Sequence, residues 1–200
     1  LVTVASDAKH TVRVWDWGGK LARSTRAPAK IHEAIGYSGG APPQIRGVAW
    51  SPDADRFATF GAKHVKLWTP RDADANATGA RPQSGAAAEA AEAARRRAAA
   101  AAAARGIAAH PGYAPRLCVR DDRDRDGNRA ETADALCGAF VPGFDGDMLV
   151  TGHADGTMLV WRGRRLEHTV DAGDGKPVRA LTAVARRDGT REIVTGASGG

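Results

Sequence analysis

Three short segments ending in tryptophan and one further residue recur along the chain: Val12-Arg13-Val14-Trp15-Asp16, Val65-Lys66-Leu67-Trp68-Thr69 and Met158-Leu159-Val160-Trp161-Arg162. Each alternates in period two, placing Val12/Val14, Val65/Leu67 and Met158/Val160 on one face and Trp15, Trp68 and Trp161 on the other. A strand with bulk on both faces needs apolar neighbours on both. The pattern therefore constrains the chain to sheets stacked face to face, each copy sandwiched by the next.

Upstream of each tryptophan lies a second short strand: Val2-Thr3-Val4-Ala5-Ser6, Arg56-Phe57-Ala58-Thr59-Phe60-Gly61 and Met148-Leu149-Val150-Thr151-Gly152. Glu192-Ile193-Val194-Thr195-Gly196 is a further copy. Ser6 to Trp15 and Gly152 to Trp161 both span nine residues, whereas Gly61 to Trp68 spans seven and predicts a tighter turn. A third repeated strand, Gly47-Val48-Ala49-Trp50 and Gly138-Ala139-Phe140-Val141, starts fourteen residues before Gly61 and Gly152, and its small residues suit a crowded inner edge. Ser6, Gly61, Gly152 and Gly196 are separated by 55, 91 and 44 residues. The last interval fits the roughly 40–45-residue period of WD repeats, in which four strands make one propeller blade.

At 42% hydrophobic and 26% charged, 200 residues suffice for a buried core. The alanine-rich run after Arg97 ends at Arg105, too short and too weakly apolar to span a bilayer, so no membrane association is expected. No secretory signal opens the chain, and its start at Leu1 within a strand pattern predicts an internal segment of a longer polypeptide. Cys118 and Cys137, nineteen apart without a C-x-x-C or a histidine at metal spacing, read as reduced cytosolic thiols. The net charge of +6 suits an acidic partner, but arginine accompanies alanine throughout, which reads as compositional bias and not as a nucleic-acid surface.

Residues 1–71 carry dense repeat signal, punctuated by Gly18-Gly19, Gly39-Gly40, Pro42-Pro43 and Ser51-Pro52-Asp53, and start partway through a blade. From 72 to 132 the pattern vanishes. Alanine from 86 to 104, broken by Glu89, Glu92 and Arg95-Arg96-Arg97, favours a helix locally, with Glu92 four residues before Arg96. Without an apolar stripe it gains nothing by docking, so the expectation for 72–132 is a low-complexity insertion between two blades, an exposed helix or disordered. Blades resume over 133–200 and stop partway through one.

Motifs with chemical overtones reduce to turns. Gly196-Ala197-Ser198-Gly199-Gly200 fits G-x-S-x-G, yet a nucleophile elbow needs strand, sharp turn and helix, and this sequence sits where one blade strand turns into the next. Asp122-Arg123-Asp124-Arg125-Asp126-Gly127 resembles half a calcium loop, but Ala133 stands where the bidentate glutamate belongs and arginines offset the carboxylates. The histidines at 10, 32, 64, 110, 153 and 168 form no metal-binding pair and read as turn or surface residues. Asp155-Gly156 reads as a hairpin turn whose aspartate binds the turn's amides, with Asp145-Gly146 and Asp174-Gly175 as further turns. No catalytic, cofactor or metal residues are expected.

Three stretches carry a narrower resemblance: His10 through Trp15-Asp16-Trp17, Phe60-Gly61-Ala62-Lys63-His64-Val65-Lys66-Leu67-Trp68, and Gly152 through Trp161-Arg162 on to Asp174-Gly175-Lys176-Pro177-Val178. Over about 140 residues, omitting the insertion, the chain resembles the WD-repeat propellers and, among them, the echinoderm microtubule-associated-protein-like family. Only Trp15 keeps its aspartate, Asp16; Trp68 is followed by threonine and Trp161 by arginine, and glycine stands near 173 where the family pattern has Gly-His. The structural blade positions are therefore Trp15, Asp16, Trp68, Asp155, Gly156 and Trp161. The resemblance implies an all-β WD-repeat β-propeller, here an incomplete ring of about three and a half blades. It also implies a non-enzymatic, cytoplasmic, cytoskeleton-associated scaffold that binds tubulin or microtubules. The alternatives are a generic WD scaffold in another complex and, remotely, a propeller hydrolase using Ser198.

Overall fold

A computed structural model describes residues 1–17, 27–36, 44–52, 55–70, 112–118, 131–142 and 148–198. Among them the secondary structure is strand and turn with no helix, in the order β1 (Val2–Val4), β2 (Thr11–Asp16), β3 (Ala29–Ile35), β4 (Ile45–Trp50), β5 (Phe57–Gly61), β6 (His64–Pro70) and β7 (Tyr113–Leu117). Then follow β8 (Ala135–Phe140), β9 (Met148–His153), β10 (Thr157–Arg162), β11 (Arg165–Asp171), β12 (Val178–Ala185) and β13 (Arg191–Ala197). These form sheets of three strands (β1-β2-β3), four (β4-β5-β6-β7), four (β11-β10-β9-β8) and two (β12-β13). The observed pairs are antiparallel between chain neighbours, so each four-stranded sheet is a meander. This is the all-β architecture of WD-propeller blades, incomplete at three and two strands for the first and last sheets.

The chain divides into two compact units, one of residues 1–3, 12–34 and 70–113 and the other of 4–11, 35–69 and 114–200. In the second, the core explains why the sheets exist. Alternate residues of β9 and β10 enter different cores: Leu149, Leu159 and Trp161 join Phe60, Val65 and Leu67 from β5 and β6, whereas Val150, Met158 and Val160 join Leu181, Ala183 and Ile193 from β12 and β13. One sheet is thus sandwiched by its neighbours, as the two-faced alternation requires. Burying each of these large side chains contributes roughly 1.5–3 kcal/mol, which a sheet facing water on one side would forgo. The outer strand β11, with exposed Glu167, Thr169 and Asp171, caps the sandwich with polar residues.

The inner strands are kept close by small residues. The Phe60 ring lies over both Gly47 of its own sheet and Gly138 of β8, where a β-carbon would come within 3.0 Å of ring atom Cε1. Three inner strands also share one bulge, between Ile45 and Gly47, Ala135 and Cys137, and Val178 and Ala180. An extra residue there sharpens the local twist at the start of each inner strand.

Two expectations are corrected. The stretch 72–132 is not one insertion between blades, because Tyr113–Leu117 within it is the fourth strand of the second sheet, hydrogen-bonded to β6. The long connection of 71–112 therefore interrupts a blade between its third and fourth strands. Tyr113-Ala114-Pro115-Arg116-Leu117 shows little of the alternation that marks the others, with a proline in mid-strand and Leu117 exposed. The helical or disordered reading of the alanine-rich segment concerns residues outside those described.

The glycine alignment is also shifted by one. Trp68 pairs with Phe57 and Trp161 with Leu149, so Thr59 is the counterpart of Thr151, and Gly61 that of His153 rather than of Gly152. Likewise Val48, not Gly47, is the counterpart of Gly138, since these two face the equivalent threonines. The β5–β6 connection is a two-residue turn with Lys63 at φ 53°, shorter than β9–β10 as the spacing predicts, and counting from glycines overstates the difference, which is one residue when counted from Thr59 and Thr151.

Candidate functional site

The tryptophans repeat one contact. In the first sheet the indole Nε1–H of Trp15 donates to Thr3 Oγ1 at 2.9 Å, and Trp15 and Leu1 exchange backbone hydrogen bonds. Trp68 donates to Thr59 Oγ1 at 3.0 Å and Trp161 to Thr151 Oγ1 at 2.9 Å, both pairs fully buried. Each threonine lies on the second strand, diagonal to the tryptophan on the third. A buried indole needs such an acceptor, and the hydroxyl is the smallest side chain that supplies one from a strand.

The third sheet extends the contact. Thr151 Oγ1 lies 2.8 Å from His153 Nε2, and His153 Nδ1 lies 2.9 Å from the carbonyl oxygen of Ala133. The carbonyl can only accept, so Nδ1 carries the proton and Nε2 accepts from the threonine hydroxyl. A continuous chain results, from the Trp161 N–H through Thr151 and His153 to the backbone of the loop before β8. The sequence reading took His153 for a turn or surface residue; it is completely buried. The signal was the T-x-H spacing, which puts residues 151 and 153 on one face of a strand. Gly61, its counterpart in the preceding sheet, cannot make this extension.

Asp155 Oδ1 accepts the Thr157 backbone N–H at 3.0 Å and the Thr157 hydroxyl at 2.6 Å, while Gly156 takes φ +88°. Burial pushes the Asp155 carboxyl upward, but the two Thr157 hydrogen bonds outweigh it and hold the group below its ordinary range. Asp188 and Thr190 repeat the same turn between β12 and β13. Asp174 and Gly175, at φ 47° and 74°, also form a turn, whereas Asp145-Gly146 and the 122–127 carboxylates lie outside the described residues. Asp16 ends β2 and is followed by Trp17, whose side is largely exposed.

The remaining reactive groups are not assembled into a centre. Burial pushes the Cys118 thiol up to about 12, and Cys137, half-buried, is raised by burial too. Ser198 Oγ accepts a hydrogen bond from Arg179 Nε rather than lying against a histidine. Among the described residues no group of three or more His, Cys, Asp or Glu could hold a metal ion, and no helix is long and apolar enough to cross a membrane.

One cavity of about 710 Å³ lies within the second unit, lined by both ends of the β1–β2 connection, Gln44 and the inner strand β4, and Leu136 and Arg179 of β8 and β12. Arg46 at its wall pairs with Asp134 at 3.0 Å, and Asp134 also accepts the backbone N–H of Lys63. Sequence reading missed both arginines, because nothing along the chain shows that residues 133 apart, on different sheets, share a wall.

Stacked four-stranded meanders, with a tryptophan on each third strand bonded to a threonine on the second, define a propeller of the WD type. Residues 35–69 match the WD40 family, the WD domain, G-beta repeat, and that match runs from the end of β3 across β4 and β5 to Thr69 in β6. The chain thus contains a WD40 repeat, a module that serves protein–protein interaction.

Proposed function

We propose that this chain is a non-enzymatic scaffold of the microtubule-associated WD type, which presents blade edges and connections to tubulin in the cytoplasm. The observation that carries the scaffold reading is the WD40 match at 35–69, aligned with three consecutive strands of a blade. Its polar chemistry points the same way: the threonines and His153 are used up in holding tryptophans, not turned toward a substrate. The tubulin part rests on the resemblance of the stretches around Trp15, Trp68 and Trp161 to the echinoderm microtubule-associated-protein-like family. The net charge of +6 favours approach to the acidic microtubule surface.

Co-sedimentation with taxol-stabilised microtubules across a salt series tests it. Binding that weakens as salt rises is expected, and its absence even at low salt would leave the second reading, a WD scaffold of another complex. The WD40 match itself favours that second reading equally, since the repeat specifies a module and not its partner. Ser198→Ala is expected to leave any esterase activity of the preparation unchanged.

A further inference from the structure

We propose that the cavity between the inner strands is a binding site for an acidic peptide segment of a partner, with Arg179 as the anchor for a carboxylate. Its wall carries two guanidinium groups from different sheets, Arg46 on β4 and Arg179 on β12, with His10 beside them. These are not equivalent. Arg46 is balanced by Asp134 at 3.0 Å, whereas Arg179 has no carboxylate within ion-pair distance among the described residues, its Nε donating to the neutral hydroxyl of Ser198. That bond fixes the guanidinium plane and leaves the two terminal nitrogens to fork onto a carboxylate. Positive charge in a concave site attracts anions more strongly than the same charge on a convex face.

Size and lining favour a peptide over a lone ion. A volume of about 710 Å³ is far larger than one phosphate or acetate needs, and falls in the range of clefts that hold ligands of many atoms. Apolar Val4, Val48 and Leu136 share the wall with polar Ser6 and Gln44, which suits a chain carrying both methylene stems and charged ends. The site is walled by the inner edge strands β4, β8 and β12 and does not depend on the tubulin reading.

The test titrates the full chain with a fluorescent hexaglutamate peptide, and in separate arms with a hexalysine peptide and inorganic phosphate. Hexaglutamate is expected to bind, and hexalysine is not. Arg179→Gln should weaken hexaglutamate binding at least tenfold, while Arg187→Gln, on the β12–β13 turn outside the cavity, should leave it unchanged. Phosphate competing only at concentrations far above the peptide supports the peptide assignment; phosphate competing as well as the peptide would reduce the site to one for small anions and overturn it. Equal losses from Arg179→Gln and Arg187→Gln would mean diffuse attraction and also overturn it. Should Arg179→Gln not fold, phenylglyoxal modification of the unaltered chain, read by mass spectrometry, decides: hexaglutamate must shield Arg179 and not Arg187. Failure here with intact microtubule co-sedimentation would leave the proposed function standing, and the reverse outcome would leave this site standing.

Discussion

The indole nitrogen of Trp161 and the hydroxyl of Thr151 are 2.9 Å apart in a fully buried hydrogen bond, and Thr151 in turn lies 2.8 Å from His153 Nε2. One hydroxyl therefore serves as acceptor for one buried group and donor to another. Removing it orphans both. Thr151→Val, close to isosteric, is expected to cost more than Thr59→Val, which orphans only the Trp68 indole in the preceding sheet. An unsatisfied buried group costs about 1–3 kcal/mol, so the expected difference is on the order of one such group. Urea denaturation of both variants and of the cycle with Trp161→Phe would measure it; equal losses would mean that His153 is not coupled to the pair.

This relay also marks how far sequence reaches. Period-two alternation around Trp15, Trp68 and Trp161 exposed the stacked sheets, because burial on both faces writes itself into every residue of a strand. The position of β7 stayed hidden, since this outer strand carries Pro115 in its middle and an exposed Leu117 and so holds no such record. Register failed by one residue where a glycine was taken as the fixed point; the threonine that accepts the indole bond, at 3, 59 and 151, is the true one. The cavity was not legible at all, because its wall is assembled from strands far apart in the chain.

Gly138 lets β8 lie against the Phe60 ring. An alanine there would place its β-carbon 3.0 Å from ring atom Cε1 and 3.2 Å from Cδ1, tighter than nearly all such contacts, so the ring must give way. Phe60 cannot retreat, as its other edge covers Gly47. Gly138→Ala is expected to destabilise by roughly 1–3 kcal/mol through overpacking, despite the gain in strand propensity. Phe60→Leu in the same background should recover part of the loss in a thermal unfolding experiment, whereas an unrelieved loss would locate the strain elsewhere.

Cys118 is buried, and its backbone N–H donates to Val65 at 2.8 Å. With its thiol pushed up to about 12 by burial, almost no thiolate exists at pH 8, and reagents lack access as well. Iodoacetamide at pH 8 should therefore alkylate Cys118 only after denaturant is added, with Cys137, half-buried and bonded to the Val178 carbonyl, reacting ahead of it. Mass spectrometry over a time course reads the order. Prompt alkylation of Cys118 in the native protein would show that the core between the second and third sheets opens readily.

His64 begins β6 beneath the two-residue turn, and its ring is almost fully buried. Burial is the main cause that lowers its affinity for a proton, opposed by the Ala62 carbonyl and reinforced by Lys66 and His10. In the unfolded chain the same histidine titrates near 6.5. As pH falls through that value, the unfolded state takes up a proton that the folded state refuses, so stability declines with acidity and is fully present above it. For one proton the slope cannot exceed about 1.4 kcal/mol per pH unit. Asp155, also lowered, adds its own loss only further down, below the ordinary carboxylate value of 3.8. His64→Gln should flatten the stability profile immediately below pH 6.5 and leave the steeper loss at carboxylate pH in place. Urea midpoints at closely spaced pH values distinguish the two windows, and an unchanged slope in the variant would assign the acid sensitivity to another group.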